Sequence, residues 1–535
     1  VLWHRGLRTQ EAVASFLDPQ PGPLQDPFLL PQMDRAVHRI LRALLGGEGI
    51  GVFGDFDADG VTATALLTEA LEGLGGRVVP YIPHRVTEGH GLNVPALRYL
   101  RQQGVGLVIT VDTGIAAGEE GAAASSLNMD LIVTDHHLPS KTPPQAVAVI
   151  SPWVKGSSYP FPHLTGAGLA LKVAEALYRA LRRPLPPGLV ELAALGTIAD
   201  LGPLRGENRS LVREGLRHLR CTRRPGLLAL YACAGLRPEE VSAETVAFIV
   251  APRLNAPGRL ASAEVSLRLL LAPSPEEAIP LAREAEEWNA KRQRLTEELT
   301  ARAMERVPFP LPPLLFVGGE EFVPGVNGLV AARLVEAFYR PAVVAASCEG
   351  RVRASARSIP EVDISRALEA ASPWLERFGG HAAAGGFECS PAALPAVQEA
   401  MAEAIRQQVG ATPLAPTLTI DGEASFADMV GIAYQTLRQM EPFGPGNPEP
   451  LFLARGVEVL SWRVSGEGGE HLLLRFRQGK AVWDGVGFRL GATGGQGVPP
   501  RCDVVFTPDL TCGENPRGLR LIVRDLRPAG GAGES

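Results

Sequence analysis

A chain of 535 residues with 45% hydrophobic and 21% charged content is too long for one hydrophobic core, and its make-up is that of a globular protein of about three or four domains. No apolar run reaches the roughly 18 residues needed to cross a bilayer, and no secretory leader pattern opens the sequence, so no membrane association is expected. A net charge of −6 does not advertise a nucleic-acid binder, which shifts the weight from the sum to local patches.

The six cysteines, Cys221, Cys233, Cys348, Cys389, Cys502 and Cys512, are scattered without a CxxC pair. That spacing argues against a zinc site and a disulfide framework, and predicts a reducing, cytoplasmic location. Only five of the 52 basic residues are lysines; arginine offers a planar fork suited to phosphate. Arg213, Arg217, Arg220, Arg223 and Arg224 crowd one stretch, as a DNA track or a solvated helix face would. The first residue is Val rather than Met, as expected where a short natural N-terminus is missing.

Residues 1–46 read as an N-terminal lead-in, with proline punctuation at 19–31 and a helix near Asp34–Leu45. Strands and helices then alternate: strand Gly49–Phe56, helix Val61–Leu74, strand Arg77–Pro83, helix Val94–Gln103, strand Gly106–Val111, helix Ile115–Leu127. Short strands follow at Asp130–Thr134 and Ala146–Ile150. This alternation, with near-continuous Val/Ile/Leu strands, predicts a parallel sheet covered on both faces. Residues 165–270 read as mostly helical, including Gly168–Leu181 and Leu189–Ile198, and complete a first lobe over 47–270. The charged amphipathic pattern at 275–306 predicts one long helix bridging two lobes, within a connector over 271–308.

A second, smaller α/β lobe is expected over 309–412. It has strand Leu314–Val317, helix Val330–Ala337, strands Ala342–Ala346 and Arg351–Ser355, and a helix within 363–377. Gly379–Gly386 reads as a tight glycine turn carrying His381. Beyond Pro416, strand-like runs at Leu418–Asp421, Leu451–Trp462, His471–Gln478, Lys480–Phe488, Arg501–Asp509 and Leu519–Arg527 alternate with Gly-rich turns. About five such strands predict an OB-fold β-barrel over 413–530, a fold whose common ligands are single-stranded nucleic acids and oligosaccharides. A flexible tail over 531–535 closes the chain.

The chemistry gathers at strand ends. Asp55, Asp57 and Asp59 alternate directly behind the apolar run Ile50–Phe53. Asp112 follows the strand ending at Val111, Asp135-His136-His137 the strand ending at Thr134, and Asp200 ends the apolar helix of Gly196–Asp200. Taken alone, Gly54–Gly60 is also an ordinary Asp/Gly turn. Parallel strands deliver their carboxyl ends to one edge of a sheet, however, where ligands bind, so Asp57, Asp59, Asp112 and His136 are expected to converge. Crowded carboxylates repel one another unless a cation intervenes. Carboxylates with imidazole and no thiolate select Mn²⁺ or Mg²⁺ over structural zinc. The ligands suffice for two ions bridged by Asp112 or Asp200, the device for in-line phosphoryl transfer with ions about 3.5–4 Å apart. No GxSxG elbow, no Cys beside a His and no Walker A loop compete with this reading.

Asp55–Gly60, Asp112–Ile115, Asp135-His136-His137 and Gly196–Asp200 resemble, in order and spacing, the four motifs of the DHH phosphoesterase superfamily. The likeness extends to its RecJ branch of single-strand-specific exonucleases. His84-Arg85 with Glu88–Asn93 is similar to the branch's second motif, in which Tyr usually stands where His90 does. Gly196–Arg209, Arg253–Arg259 and Ser355–Ser358 look equally branch-specific. Gly379-Gly380-His381 is similar to the DHHA1 signature, and Pro442–Pro448 resembles the approach to the branch's OB-fold domain. Ser151-Pro152 replaces the Asn-Pro often found after DHH.

The resemblance implies Asp57, Asp59, Asp112, His136 and Asp200 as metal ligands for Mn²⁺ or Mg²⁺. His137 would lie beside the ligands or reach the scissile phosphate, and Asp135 would orient the histidines. Asp55 is placed just outside the ligands, although its chemistry alone suits a ligand equally. Arg85, Arg259 with Asn255, Arg357 with Ser355, and His381 are the implied contacts to the 5′ end and backbone of DNA. For each arginine the alternative is an ordinary surface ion pair. The implied activity is 5′→3′ hydrolysis of single-stranded DNA to 5′-mononucleotides in recombination and repair. A monomer working with a single-strand-binding protein and a helicase is implied with it. The rivals are a nanoRNase or phosphoadenosine phosphatase, which lack the appended barrel, and a non-catalytic replication scaffold, which loses ligand residues.

Overall fold

The computed structural model describes residues 1–18, 24–85, 87–139, 142–348, 350–410, 413–466, 468–495, 497–509 and 520–530. Residues 19–23 of the proline-rich stretch, Cys512 and the expected tail at 531–535 lie outside the described residues. Two helices, α1 (Gln10–Leu17) and α2 (Met33–Leu45), precede the first sheet.

That sheet is built from β1 (Gly49–Phe53), α3 (Ala58–Glu72), β2 (Arg77–Tyr81), α4 (Val94–Gln102), β3 (Val105–Val111), α5 (Gly118–Ser126), β4 (Asp130–Thr134) and β5 (Ala148–Ile150). Its five strands run in the order β2-β1-β3-β4-β5 and all pair in parallel. Every residue of β1 is buried, as strands covered on both faces require. One core packs α2, α3 and the helices that follow the sheet against one face; a second, around Phe53, Leu97 and Leu131, lies under α4 and α5. The strand order reverses next to β1, and the carboxyl ends of β1 and β3 meet there.

The helical part of this lobe comprises α6 (Gly166–Ala180), α7 (Gly188–Ala199), α8 (Gly206–Arg220), α9 (Pro225–Ala234), α10 (Ala243–Thr245), α11 (Ala251–Leu260) and α12 (Glu264–Leu271). A π-helical turn over Val246–Val250 leads into α11. The connector is α13 (Pro275–Glu305), 31 residues long and unbroken at Pro280. It packs on α9, α11 and α12 of the first lobe and on α14 of the second.

The second lobe contains β6 (Leu315–Gly319), α14 (Pro324–Phe338), β7 (Ala342–Cys348), β8 (Arg351–Arg357), α15 (Ile364–Ala371), β9 (Arg377–His381), β10 (Ala384–Cys389) and α16 (Leu394–Val409), with strand order β6-β7-β8-β10-β9. The segment expected to be a glycine turn is instead a hairpin. Gly379 and Gly380 lie in β9 opposite Gly386 and Gly385 of β10, and His381 pairs with Ala384. Glycine-rich strands lack the β-branched signal by which strands are recognised, which is why the pattern reads as a turn.

The third unit follows a short β11 (Gly422–Glu423) and α17 (Ile432–Gln439), and contains β12 (Phe452–Ser465), β13 (His471–Gln478), β14 (Ala481–Gly487), β15 (Arg501–Pro508) and β16 (Arg520–Pro528). Pairing of β12 with β15 closes the sheet into a barrel. The run Leu418–Asp421 is not a strand; pairing begins only at Gly422. Phe426, Phe476, Trp483 and Phe506 fill the barrel. The N-terminal residues Val1, Leu2, Phe16 and Leu17 pack against this same core. They thus tie the residues that precede the first sheet to the barrel.

The arginine cluster at 213–224 is largely committed to the fold. Arg213 donates to Asp18 O at 2.5 Å, Arg217 pairs with Glu214 at 3.1 Å, and Arg220 donates to Val241 O at 2.7 Å. Arg224, half-buried, pairs with Glu69 and with buried Glu191 (3.0 Å) and donates to Leu270 O (2.9 Å). Removing one partner from such a set strands the others without compensation. Arg224→Ala is therefore expected to destabilise the catalytic lobe by about 3 kcal/mol or more, measured as a fall in the urea midpoint of its unfolding transition.

Candidate metal centre

The cluster is assembled from the ends of β1, β3, β4 and α7. Beyond β1 the chain turns into α3, which begins at Ala58, three residues earlier than the sequence pattern suggests. The reason is a cap. Asp57 Oδ1 accepts the N–H groups of Asp59 and Gly60, both at 3.0 Å, the N-terminal device of an Asp-capped helix. Asn255 Oδ1 takes the next free donor, Ala58 N–H, at 2.9 Å. Asp59, in the first turn, accepts Gly166 N–H at 2.7 Å and Ala167 N–H at 2.9 Å from the start of α6. Two helix N-termini thus point their positive ends at the carboxylates.

Asp112 follows β3 in a left-handed backbone conformation, φ 61°, and is buried. The start of α6 crosses directly over it. A Cβ at Gly166 would stand 2.3 Å from Asp112 Cβ, so only glycine permits that approach. After β4, Asp135 accepts Ile115 N–H at 2.9 Å and His137 N–H at 3.0 Å, and its Oδ1 lies 2.7 Å from His137 Nδ1. His136 turns the other way, with Nε2 3.0 Å from Asp112 Oδ1 and 3.7 Å from Asp200 Oδ2.

Ligating atoms of Asp55, Asp57 and Asp112 lie within 4.8 Å of one another. So do those of Asp59, His136 and Asp200, and those of Asp112, His136 and His137. Asp112 and His136 each belong to two of these sets. The geometry gives Asp55 a ligand-like place beside Asp57, the alternative that its chemistry left open. Asp55 Oδ1, Asp112 Oδ1 and His136 Nε2 are buried and make no hydrogen bond. Orphaned acceptors of this kind are costly in a protein interior, and a divalent cation with oxygen and imidazole ligands satisfies them. The donor set therefore fits Mn²⁺ or Mg²⁺.

Electrostatics agree with the geometry. Burial, then Asp57, pushes Asp59 up to about 7; burial, then Asp59 and Asp57, pushes Asp200 up to about 8. Asp112 is raised well above 3.8 by burial and by Asp59, Asp57, Asp200 and Asp55, and Asp57 is raised by burial and Asp55. Burial lowers His136 to about 4, so its imidazole is neutral at physiological pH. His137 goes the opposite way, to about 9, chiefly through its hydrogen bond to Asp135. Burial acts to raise Asp135, but the hydrogen bonds from His137 and Ile115 hold it below 3.8.

Across from the carboxylates stand three arginines. The Arg85 guanidinium lies 4.7 Å over the Phe56 ring and within electrostatic reach of Asp55 and Asp57. Arg259 donates to Gly325 O at 3.3 Å, and is brought down to about 9 by burial, then by Arg85 and Arg357. Arg357 is lowered by burial and by Arg85. Ser355 shares the sheet face of Arg357 on β8, and His381 lies in the same cross-strand row, through Ala384. His381 feels both Arg357 and His137, so the second lobe faces the catalytic edge. Asn255, expected at the DNA, uses its Oδ1 inside the scaffold. The Gly166 and Ala167 donors were missed. Their signal is the small-residue run Thr165–Gly168 opening an apolar helix, with Thr165 as its cap.

The chain matches the N-terminal domain of the DHH family over residues 49–197, the DHHA1 domain over 313–407 and the RecJ OB domain over 420–525. It is 37% identical to the single-stranded-DNA-specific exonuclease RecJ of Thermus thermophilus over 94% of this chain and 71% of that protein. It is 35% identical to the Bacillus subtilis protein of the same name, over 98% of this chain and 67% of that one. The chain belongs to the RecJ family. The crystal structure of Thermus thermophilus RecJ with Mn²⁺ superposes with a TM-score of 0.85 at 33% identity, covering 99% of this chain and 75% of that one. A Mg²⁺ complex of the same protein matches with a TM-score of 0.78. The expected order of two α/β lobes, long helix and OB barrel is thus the RecJ architecture, and metal-dependent nuclease chemistry comes with it. No helix among the described residues is long and apolar enough to cross a membrane.

Two outcomes follow from the buried charge. Asp59, Asp112 and Asp200 hold protons in the folded chain above pH 3.8, where the unfolded chain has begun to lose them, and up to about 7 and 8 for Asp59 and Asp200. Stability of the metal-free protein is therefore highest at the low end of that window and falls as pH rises through it. Melting curves in chelator should show that fall, and added Mn²⁺ should raise the melting temperature more at pH 8 than at pH 5. Gly166→Ala should displace Asp112 and weaken Mn²⁺ binding on the order of tenfold or more, read by calorimetric titration.

Proposed function

We propose that this chain hydrolyses single-stranded DNA from its 5′ end, releasing 5′-mononucleotides in recombination and repair. The observation that carries the reading is the pairing of walls: a carboxylate–imidazole cluster faces three half-buried arginines and the His381 hairpin. The carboxylates of Asp57, Asp59, Asp112 and Asp200, with His136 and with Asp55 in reach, are the ligands. Two Mn²⁺ or Mg²⁺ ions held there supply an activated water and offset the charge that builds on the phosphate.

The residues of the chain do the rest. Arg85, Arg259 and Arg357, with Ser355, anchor a terminal phosphate, and arginine forks suit that bidentate role. Protonated His137, fixed by Asp135, stands beside the ligands as a donor to a phosphate oxygen or to the leaving group. Asn255 holds the start of α3 and so keeps Asp57 and Asp59 in register. Anchoring through phosphate rather than base edges supports tolerance of sequence. The placing of the second lobe opposite the catalytic edge supports admission of one strand and exclusion of a duplex. A monomer that receives its strand from a helicase and a single-strand-binding protein accords with the family, as does a cytoplasmic location.

Oligonucleotides labelled at either end test direction. Mn²⁺-dependent release of labelled mononucleotide first from the 5′ end is expected, and release first from the 3′ end, or equal digestion of blunt duplex, rejects the reading. Arg357→Ala should raise KM for a 5′-phosphorylated strand roughly thirtyfold, about 2 kcal/mol, and change KM for the 5′-hydroxyl strand much less.

A further inference from the structure

The barrel touches the catalytic lobe on the loop that follows Asp200. Asp200 closes α7, its N–H donating to Gly196 O at 2.9 Å. Leu201 is left-handed, φ 57°, and donates to Ile198 O at 3.1 Å; Gly202 N–H reaches Thr197 O at 3.0 Å. Two residues later Leu204 N–H donates to Pro445 O at 2.6 Å, across the boundary to the turn that leads into the barrel. That turn is closed on itself by reciprocal bonds between Gly444 and Asn447, at 2.9 and 3.0 Å. Buried Asn447 donates to Met440 O at 2.9 Å and Pro442 O at 2.8 Å, and accepts from Arg5 at 2.6 Å. Gly446 has φ +73°, and a Cβ there would meet Pro203 Cβ at 3.0 Å.

Arg209 locks this contact from below. Its Nη1 donates to Met440 O at 2.9 Å and Pro442 O at 3.4 Å, and its Nη2 to Gln439 O at 3.2 Å and Phe16 O at 3.3 Å. The guanidinium lies 3.9 Å over the Phe16 ring, and the residue is 5% exposed. A charge is thus buried to hold backbone carbonyls of the N-terminal residues and of the barrel approach on the helix that starts six residues after Asp200. Its fork geometry can serve several carbonyls at once, which a lysine cannot do.

We propose that Arg209 and the Gly444–Asn447 turn position Asp200. Seating of the barrel fixes residues 201–205 and, through them, the carboxylate that faces His136. The inference rests on the reading of Asp200 as a metal ligand. Its consequence is that the barrel acts on the chemistry even when the substrate is too short to reach it. A barrel that serves only to hold DNA has no such effect.

The test uses the full chain carrying Arg209→Gln, with Mn²⁺ binding followed by electron paramagnetic resonance and turnover measured on a 5′-phosphorylated dinucleotide. The Mn²⁺ dissociation constant should rise on the order of tenfold or more, the size of effect seen when a ligand loses its support. The kcat on the dinucleotide should fall with it, and KM should hold. Thermal melting reports folding separately. Gly446→Ala, which crowds Pro203, probes the same loop should Arg209→Gln not fold. Unchanged Mn²⁺ affinity and dinucleotide turnover, with loss only on long strands, overturns the proposal. Asp200→Asn is the control: if it binds Mn²⁺ as the unaltered chain does, the ligand reading fails first and independently of Arg209.

Discussion

The structure depends on the burial of like charges. Burial raises the pKa of Asp57, Asp59, Asp112 and Asp200, and neighbouring carboxylates add to each rise. Uncompensated burial of a carboxylate costs several kcal/mol, and a charge-assisted hydrogen bond returns roughly 1.5–3. Asp57 and Asp59 are each compensated in part by two backbone N–H groups. Asp112 has a buried oxygen without a hydrogen bond and four carboxylates acting on it. The deficit is therefore concentrated on the one carboxylate that belongs to two of the three candidate ligand sets. A divalent cation held by these ligands would balance the charge, and four strand and helix ends converge on that place.

The meeting of four strand and helix ends was legible because parallel topology forces it: once Ile50–Phe53, Gly106–Val111 and Asp130–Thr134 are read as neighbouring strands, Asp57, Asp112 and His136 have one edge to share. The hairpin at Gly379–Gly386 was not legible against a simple turn, because a strand built on Gly379, Gly380, Gly385 and Gly386 takes its stability from cross-strand pairing rather than from side chains. The donors of Gly166 and Ala167 are backbone groups, so their only trace in the sequence is the capped small-residue run Thr165–Gly168. The role of residues 1–18 was hidden for a different reason: packing of Val1 and Phe16 on a barrel more than 400 residues away leaves no local pattern.

The scarcity of lysine acquires a structural sense as well. Arg39 bridges Glu48 and Asp130, Arg224 bridges Glu69 and Glu191, and Arg253 clasps Glu286 of the connector helix at 2.5 Å. Each links segments distant in sequence, and each uses more than one nitrogen of the fork. The exception confirms the division of labour: buried Lys172 pairs with Glu175 and Glu207 as a point charge, at 3.0 and 2.7 Å.

The placing of β2 at the rim of the catalytic sheet has one more effect. Its sequence includes Pro80, which offers no N–H to a neighbouring strand. The opposite rim, β5, is only three residues long. An all-parallel sheet forms slowly and shows its rims to other chains while it does so. With one rim interrupted by proline and the other cut short, the lobe that carries the metal centre gives a second nascent chain little to pair with. The same two features that end the sheet thus guard it against misassembly during synthesis.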